Sequence, residues 1–284
     1  SISVSMATGA FSMVGGEGND SVTLAASYIT AQVTGGNGDD VLSVGAGVET
    51  VDGGAGNDTI IAHNTSVTVS DGADSYMGGN GIDLLSYEGL TNATQGVTVN
   101  LAASVTSGSL GNDSLSGIEN VLTGAGNDSV LGDGMANVLS GGNGNDTLVG
   151  GGGDDTLLGG AGDDVYGAGS TSLMLRINDS GGNDTLSFQG ATVGSISAAA
   201  LGSVGGIEAI NLAGGGNTLN LSASRVVALS DTDVLRVFGG GSDLLVFDDA
   251  ASWTRGATSG GFVTFTNGSA TVIAAESLAP VVSG

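Results

Sequence analysis

Five nonapeptides follow one another without a gap from Thr123 to Gly167: TGAGNDSVL, GDGMANVLS, GGNGNDTLV, GGGGDDTLL and GGAGDDVYG. A unit this short buries its apolar residue only against its neighbours, so a chain built this way must stack. Glycines recur at positions one, two and four, where they predict φ > 0 and a tight turn. The triplet after each turn reads as a very short strand. Its middle residue, at position eight, points inward because strand side chains alternate faces. Those residues are Val130, Leu139, Leu148, Leu157 and Tyr166. A turn plus a strand takes nine residues, so two copies make one flattened coil of 18. Residues one coil apart then stack about 4.8 Å from each other. On that count Asp128, Asp146 and Asp164, all at position six, share one edge, while Asn137 and Asp155 share the other.

Stacked carboxylates repel. At that spacing and an effective dielectric near 20, each adjacent pair costs on the order of 3 kcal/mol. A hard divalent cation between neighbouring turns reverses the sign. Calcium takes about six to eight oxygens, and each turn offers an Asp carboxylate together with glycine-loop carbonyls. The rhythm therefore reads as a ladder of half-sites that is completed only when coils stack.

Further copies lie on both sides: GGEGNDSVT from Gly15, GGNGDDVLS from Gly35 and GGAGNDTII from Gly53. VSDGADSYM and GGNGIDLLS run in register from Val69 to Ser86, GSLGNDSLS begins at Gly108, and a decayed DSGGNDTLS begins at Asp179. These lines resemble the G-G-x-G-x-D-x-U-x nonapeptide of the RTX (repeats-in-toxin) family. Two longer stretches, GGNGIDLLSYEGLTNATQGVTVNL from Gly78 and GIENVLTGAGNDSVLGDGMANVLSGGNGND from Gly117, resemble segments between the repeat blocks of long RTX proteins. The resemblance is strong from Gly15 to Gly167 and continues weakly to about Asp249. It implies a right-handed parallel β-roll folded by several Ca2+ ions after secretion, with the position-six Asp as side-chain ligand. Carried onto this chain, those ligands are Asp20, Asp40, Asp58, Asp74, Asp83, Asp113, Asp128, Asp146, Asp155, Asp164 and Asp184.

In the N-terminal third, Asp20, Asp40, Asp58 and Asp74 are spaced by about one coil on average, which predicts that all four share one edge. The intervening SYITAQV (Ser27–Val33) and GAGVETV (Gly45–Val51) hold no nonapeptide, so the other edge is expected to close with ordinary turns and apolar contacts. Asn137 interrupts the carboxylates, so its edge is expected to hold fewer or weaker ions.

The charge fits a cation-dependent fold. Acidic residues number 29 against four arginines, for a formal charge of -25. That charge repels nucleic acid and anionic membranes, and no apolar run is long enough to span a bilayer. About ten divalent ions would bring it to about -5. Hydrophobic residues make up 40% of the chain but aromatics only 4%, which suits a narrow core. Cysteine and lysine are absent, so disulfides, thiol chemistry and Schiff bases are excluded. The chain starts at Ser1 without a visible signal peptide and reads as a processed product or a segment of something longer.

Beyond Gly167 the motif thins into strand-like pieces: LMLRI (Leu173–Ile177), IEAINL (Ile207–Leu212), TLNLS (Thr218–Ser222), VLRVF (Val234–Phe238) and LLVF (Leu244–Phe247). SRVVAL reads as the one short helical piece. FVTFTNGSATVIA (Phe262–Ala274) carries Asn267-Gly268 between alternating runs, a hairpin signal. Trp253 and nearby aromatics are expected to plug the end. Residues 1–167 are thus read as a calcium-binding roll, with the best repeats at 123–167, and 168–284 as a degenerate solenoid continuation with a terminal hairpin cap.

Catalytic signatures are scarce. His63 is the one histidine, with no G-x-S-x-G elbow and no H-E-x-x-H. Glu88, Glu119 and Glu208 lie outside the turns, and the two GIE units suggest capping or structural hydrogen bonds for Glu119 and Glu208. No catalytic residue is assigned. The expected protein is an all-β, non-catalytic, calcium-dependent structural one, secreted to a bacterial cell surface or matrix as a surface layer, adhesin segment or fibre subunit that self-associates. The alternative is a calcium module of a larger secreted protease, lipase or epimerase.

Overall fold

Strand and turn alternate with the nonapeptide in the computed structural model. It describes residues 2–4, 9–24, 27–62, 72–108, 111–168, 176–179, 181–188, 194–197, 199–212, 216–249 and 252–281. Successive copies go to opposite faces. Ser129–Leu131, Thr147–Val149 and Val165–Gly167 pair in one sheet, and Val138–Asn143 pairs with Thr156–Ala161 in the other. All of these pairings are parallel and in the register of the repeat: Val130 lies beside Leu148, Leu148 beside Tyr166, and Leu139 beside Leu157. The same stacking holds in the N-terminal third, where Leu42, Ile60 and Leu85 succeed one another.

Position-eight side chains from both faces fill the space between the sheets. Leu139, Leu148, Leu157 and Tyr166 are fully buried and Val130 almost so. Between Thr123 and Gly167 the core is therefore two side chains thick, one from each face. Leu148→Ala is expected to lower stability in saturating calcium by about 3–5 kcal/mol, read as a lower urea midpoint at unchanged slope.

The glycines divide the work differently from the sequence expectation. Gly142 and Gly144, at positions two and four, have φ of +99° and +123°. Gly141, at position one, has no positive φ. It is glycine for lack of room, since a Cβ there would strike the Asp146 carboxylate.

Among the described residues the strands form a ten-stranded, a sixteen-stranded and a four-stranded sheet. The first two are the faces of the roll. The sixteen-stranded sheet contains an insertion in which Ser114–Ser116, Val105–Gly108 and Val97–Asn100 lie in reverse order, the middle strand antiparallel to both neighbours. Opposite the insertion, Leu84–Ser86 pairs directly with Asn120–Leu122.

After Gly167 a third face opens. Ser195–Ile196, Thr218–Leu221, Leu244–Phe247 and Ala279–Val281 make the four-stranded parallel sheet. The ten-stranded sheet ends at Val204–Gly205. The helix Ala223–Leu229 follows, its first turn capped by the Ser222 hydroxyl, which accepts from the Arg225 N–H. Arg176–Asn178 is a strand, while Leu173, Met174 and Leu175 lie outside the described residues. The expected hairpin is present: Phe262–Asn267 runs antiparallel to Ala270–Ala275, with Asn267 opposite Ala270. A further strand, Thr254–Ser259, pairs with its outer side. Under it Trp253 stacks on Phe247 at 4.4 Å between ring centroids, and the Trp253 indole N–H donates to Asp249 Oδ1 at 2.6 Å. Phe247 also meets Phe265 at 5.1 Å between centroids, so the aromatic cluster joins the third face to the hairpin.

Candidate metal centres

From Asp40 onward the position-six carboxylates reach back one coil. Asp40 Oδ1 accepts from the Asp20 N–H, Asp58 Oδ1 from the Asp40 N–H, and Asp83 Oδ1 from the Asp58 N–H, each at 2.7 Å. On the opposite edge Asp146 Oδ1 accepts from the Asp128 N–H at 2.8 Å, Asp164 Oδ1 from the Asp146 N–H at 2.7 Å, and Asp184 Oδ1 from the Asp164 N–H at 2.8 Å. One oxygen of each carboxylate therefore closes a backbone donor at the start of the neighbouring strand.

The second oxygen finds nothing comparable. Oδ2 of Asp40, Asp58, Asp83, Asp128, Asp146 and Asp164 is buried without a hydrogen-bond partner among the described residues. Burying charge without compensation is expensive, and in the bare protein it shows as proton uptake. Burial, with the facing carboxylates adding to it, pushes Asp146 to about 7, Asp164 to about 6 and Asp184 to about 7. Asp58, Asp83, Asp128 and Asp155 move in the same direction, again chiefly through burial. A stack of hard oxygen acceptors with no nitrogen or sulfur ligand suits calcium. The residues present thus fit that ion, with the orphan Oδ2 atoms as the side-chain donors that would hold it.

One edge assignment needs correction. Asp74 does not share the edge of Asp20, Asp40 and Asp58. Asp83 takes the next place there, 25 residues after Asp58. Asp74 lies on the opposite edge, where its Oδ1 accepts from the Glu49 N–H at 2.7 Å and its own N–H donates to Asp113 Oδ1 at 3.1 Å. Averaging the spacings concealed a half-coil, and that edge carries buried acids as well as turns. Asp74 and Asp113 each have a hydroxyl on the second oxygen: Tyr76 O–H donates to Asp74 Oδ2 at 2.9 Å and Thr106 O–H to Asp113 Oδ2 at 2.7 Å.

Asn137 has both polar atoms engaged, its Nδ2 donating to the Glu119 carbonyl at 2.7 Å and its Oδ1 accepting from the Asp133 N–H at 3.0 Å. The Asn137 N–H reaches Asp155 Oδ1 at 3.0 Å, so the backbone ladder continues through the break. The GIE glutamates do the capping expected of them. Glu119 Oε2 accepts from the Asp83 N–H at 2.8 Å and Glu208 Oε2 from the Asp184 N–H at 3.1 Å, so the runs through Asp83 and Asp184 each end on a glutamate.

Sequence reasoning passed over position five. Asn127 Oδ1 accepts from the Asn145 N–H at 2.9 Å, and Asn145 Oδ1 from the Asp163 N–H at 3.0 Å. Asn19, Asp39 and Asn57 repeat the pattern. This is a second, exposed ladder whose carbonyl and carboxylate oxygens point in the opposite chain direction. The recurring Asn or Asp at that position was its signal. Glu88 lines an open cavity with Thr91 and Thr123, and His63 lies outside the described residues.

The profile of the RTX calcium-binding nonapeptide repeat (four copies) matches residues 32–60, 67–85 and 131–166. The chain carries RTX repeats that bind Ca2+. The matched segments hold Asp40, Asp58, Asp74, Asp83, Asp146, Asp155 and Asp164 and cover less than half of the chain. Asp128 and Asp184 fall outside the RTX match, yet they continue the same ladder through identical backbone contacts. No curated protein matches the chain. RTX repeats mark a structural calcium-binding module, and among the described residues no helix is long and apolar enough to cross a membrane.

Proposed function

We propose that this chain is a non-catalytic, calcium-dependent structural protein, secreted to a bacterial cell surface or matrix as a surface-layer, adhesin or fibre subunit. The observation that carries the reading is the pair of carboxylate ladders with six orphaned, buried oxygens. A scaffold whose edges need a cation stays open where calcium is scarce and closes at the roughly 0.1–1 mM levels at which extracellular sites fill. The position-six carboxylates serve as strand caps and cation ligands, which makes them poor acid–base groups. In the proposal, ions bridge successive coils at Asp40, Asp58 and Asp83 on one edge and at Asp128, Asp146, Asp164 and Asp184 on the other. Asp20 and Asp155 extend the ligand set, and Asp74 and Asp113 join it by releasing the Tyr76 and Thr106 hydroxyls that hold their second oxygens.

Self-association belongs to the same proposal. Ala10–Glu17 is the outermost strand of the sixteen-stranded sheet among the described residues, and Val14 on it is 66% exposed. Phe11 and Met13 on the same strand are only half-covered. An apolar edge of this kind, without a neighbouring strand among the described residues, invites strand addition by a second copy. At the far end Thr254–Ser259 is polar and exposed along its length, carries Arg255 and follows a bulged register, which blunts that edge. Sedimentation velocity across a concentration series in excess calcium is expected to show growing oligomers. A monodisperse monomer at the highest concentration sinks the self-association half of the proposal.

A further inference from the structure

Where the third face begins, the repeat departs from its own pattern at two places. DSGGNDTLS puts Asp179 at position one, which is glycine in the copies starting at Gly141, Gly150 and Gly159. GGAGDDVYG puts Tyr166 at position eight, which is aliphatic in the four contiguous copies before it. The fold brings the two together. The Tyr166 O–H donates to Asp179 Oδ2 at 2.5 Å, while the Gly159 N–H donates to the Tyr166 oxygen at 2.7 Å. The phenol is buried and its one proton is committed to Asp179. This fixes the Asp179 carboxylate against the ladder.

Asp164, Asp179 and Asp184 there bring one carboxylate oxygen each within 4.8 Å of one another, and all three are buried. Asp164 Oδ2 has no hydrogen-bond partner, and its residue is fully buried. It lies beside the Gly159 Cα, next to the Tyr166 hydroxyl that holds Asp179. An acidic cluster alone would say little; an orphaned buried oxygen among three converging carboxylates points to a cation.

We propose that Asp164, Asp179 and Asp184 form a three-carboxylate calcium site, different in composition from the other steps of the ladder, that binds more tightly than they do. The proposal rests on the calcium reading above and adds a ligand that the nonapeptide pattern does not contain. Ordinary steps pair the position-six carboxylates of successive coils. Here a third negative charge joins them in a buried place where salt screens little, and calcium affinity rises with the number of charged ligands. Tyr166 is a positioning residue: it touches Asp179 and orients it.

The test is calorimetric titration of the calcium-depleted full chain with Ca2+, paired with terbium luminescence excited through tyrosine. The wild type is expected to show one step at least about 10-fold tighter than the rest. Asp179→Asn is expected to remove that step and keep the remaining stoichiometry. Asp179→Gly restores the residue usual at position one and is expected to do the same, with an unchanged circular dichroism spectrum in excess calcium. Tyr166→Phe is expected to weaken the tight step and strip most of its sensitised emission. A tight step that survives both Asp179 variants, or a wild type whose sites are all equivalent, overturns this inference and leaves the ladder standing. A wild type that takes up no calcium overturns both.

Discussion

Excess chelator is expected to abolish most of the far-ultraviolet β signal of this protein, and millimolar Ca2+ to restore it. The magnitudes decide the direction. Burying one position-eight side chain contributes about 1.5–3 kcal/mol. Stacking one carboxylate on the next costs on the order of 3 kcal/mol while both are charged. The two effects are comparable before chain entropy is counted, and entropy opposes folding by about 1–2 kcal/mol for each ordered residue. A core two side chains thick has nothing in reserve against that. Magnesium at equal concentration is expected to restore less, because it demands tight octahedral geometry and gives up water reluctantly. Sodium chloride should not substitute for calcium.

Whatever β signal survives chelation is expected to come from the part beyond Glu208, where the buried Asp243 carboxylate needs no ion. Asp243 is as deeply buried as Asp146, but both its oxygens are satisfied: Oδ1 accepts from the Asn217 N–H at 2.9 Å and Oδ2 from the Gly240 N–H at 2.8 Å. Hydrogen exchange with and without chelator separates the two regions. Full retention of the β signal and of amide protection across residues 123–167 in chelator would refute the ladder.

The same contrast shows what was legible in the chain. Between Thr123 and Gly167 the copies are contiguous, so counting by 18 places every inward residue and both edges correctly. Where copies are interrupted, the count loses its anchor. The step from Asp58 to Asp74 looks like a short coil but is a crossing to the other edge, because Asp83 is the residue that stacks on Asp58. The inserted antiparallel strands at Val97–Asn100 and Val105–Gly108 left no glycine signature, since ordinary strand pairing holds them.

Asp179 escaped for the opposite reason. It sits in a copy that was recognised, at a position read only as glycine, and its contact is with a tyrosine 13 residues earlier. The third face was equally hidden. The pieces at Thr218–Leu221 and Leu244–Phe247 read as strands, but nothing in a run of alternating residues says how many sheets share them. The deciding contacts are long-range and run through backbone groups that every residue possesses.

The calcium-free protein is expected to lose stability as pH rises from about 5 to about 8, the reverse of ordinary acid denaturation. Carboxyls paired with cations in a native state have lowered pKa values, and their contribution vanishes on acidification. Here the sign is inverted. Without the ion, Asp146 and Asp184 stand at about 7 and Asp164 at about 6, against 3.8 for the unperturbed group, with burial the main cause. A folded-state pKa above the unfolded one means that the folded form binds more protons. That contribution is complete below about pH 4 and is lost as pH rises through 6 and 7, when the buried oxygens must ionise against one another. Calcium takes over where the protons leave, so its apparent affinity should climb through the same window and its binding should release protons. Thermal melts in chelator at pH 5.5 and pH 8, together with calorimetry in buffers of different ionisation enthalpy, read both halves. Greater stability of the chelated protein at pH 8 than at pH 5.5, or binding without proton release near pH 6, would mean that these oxygens are not the ones the ion neutralises.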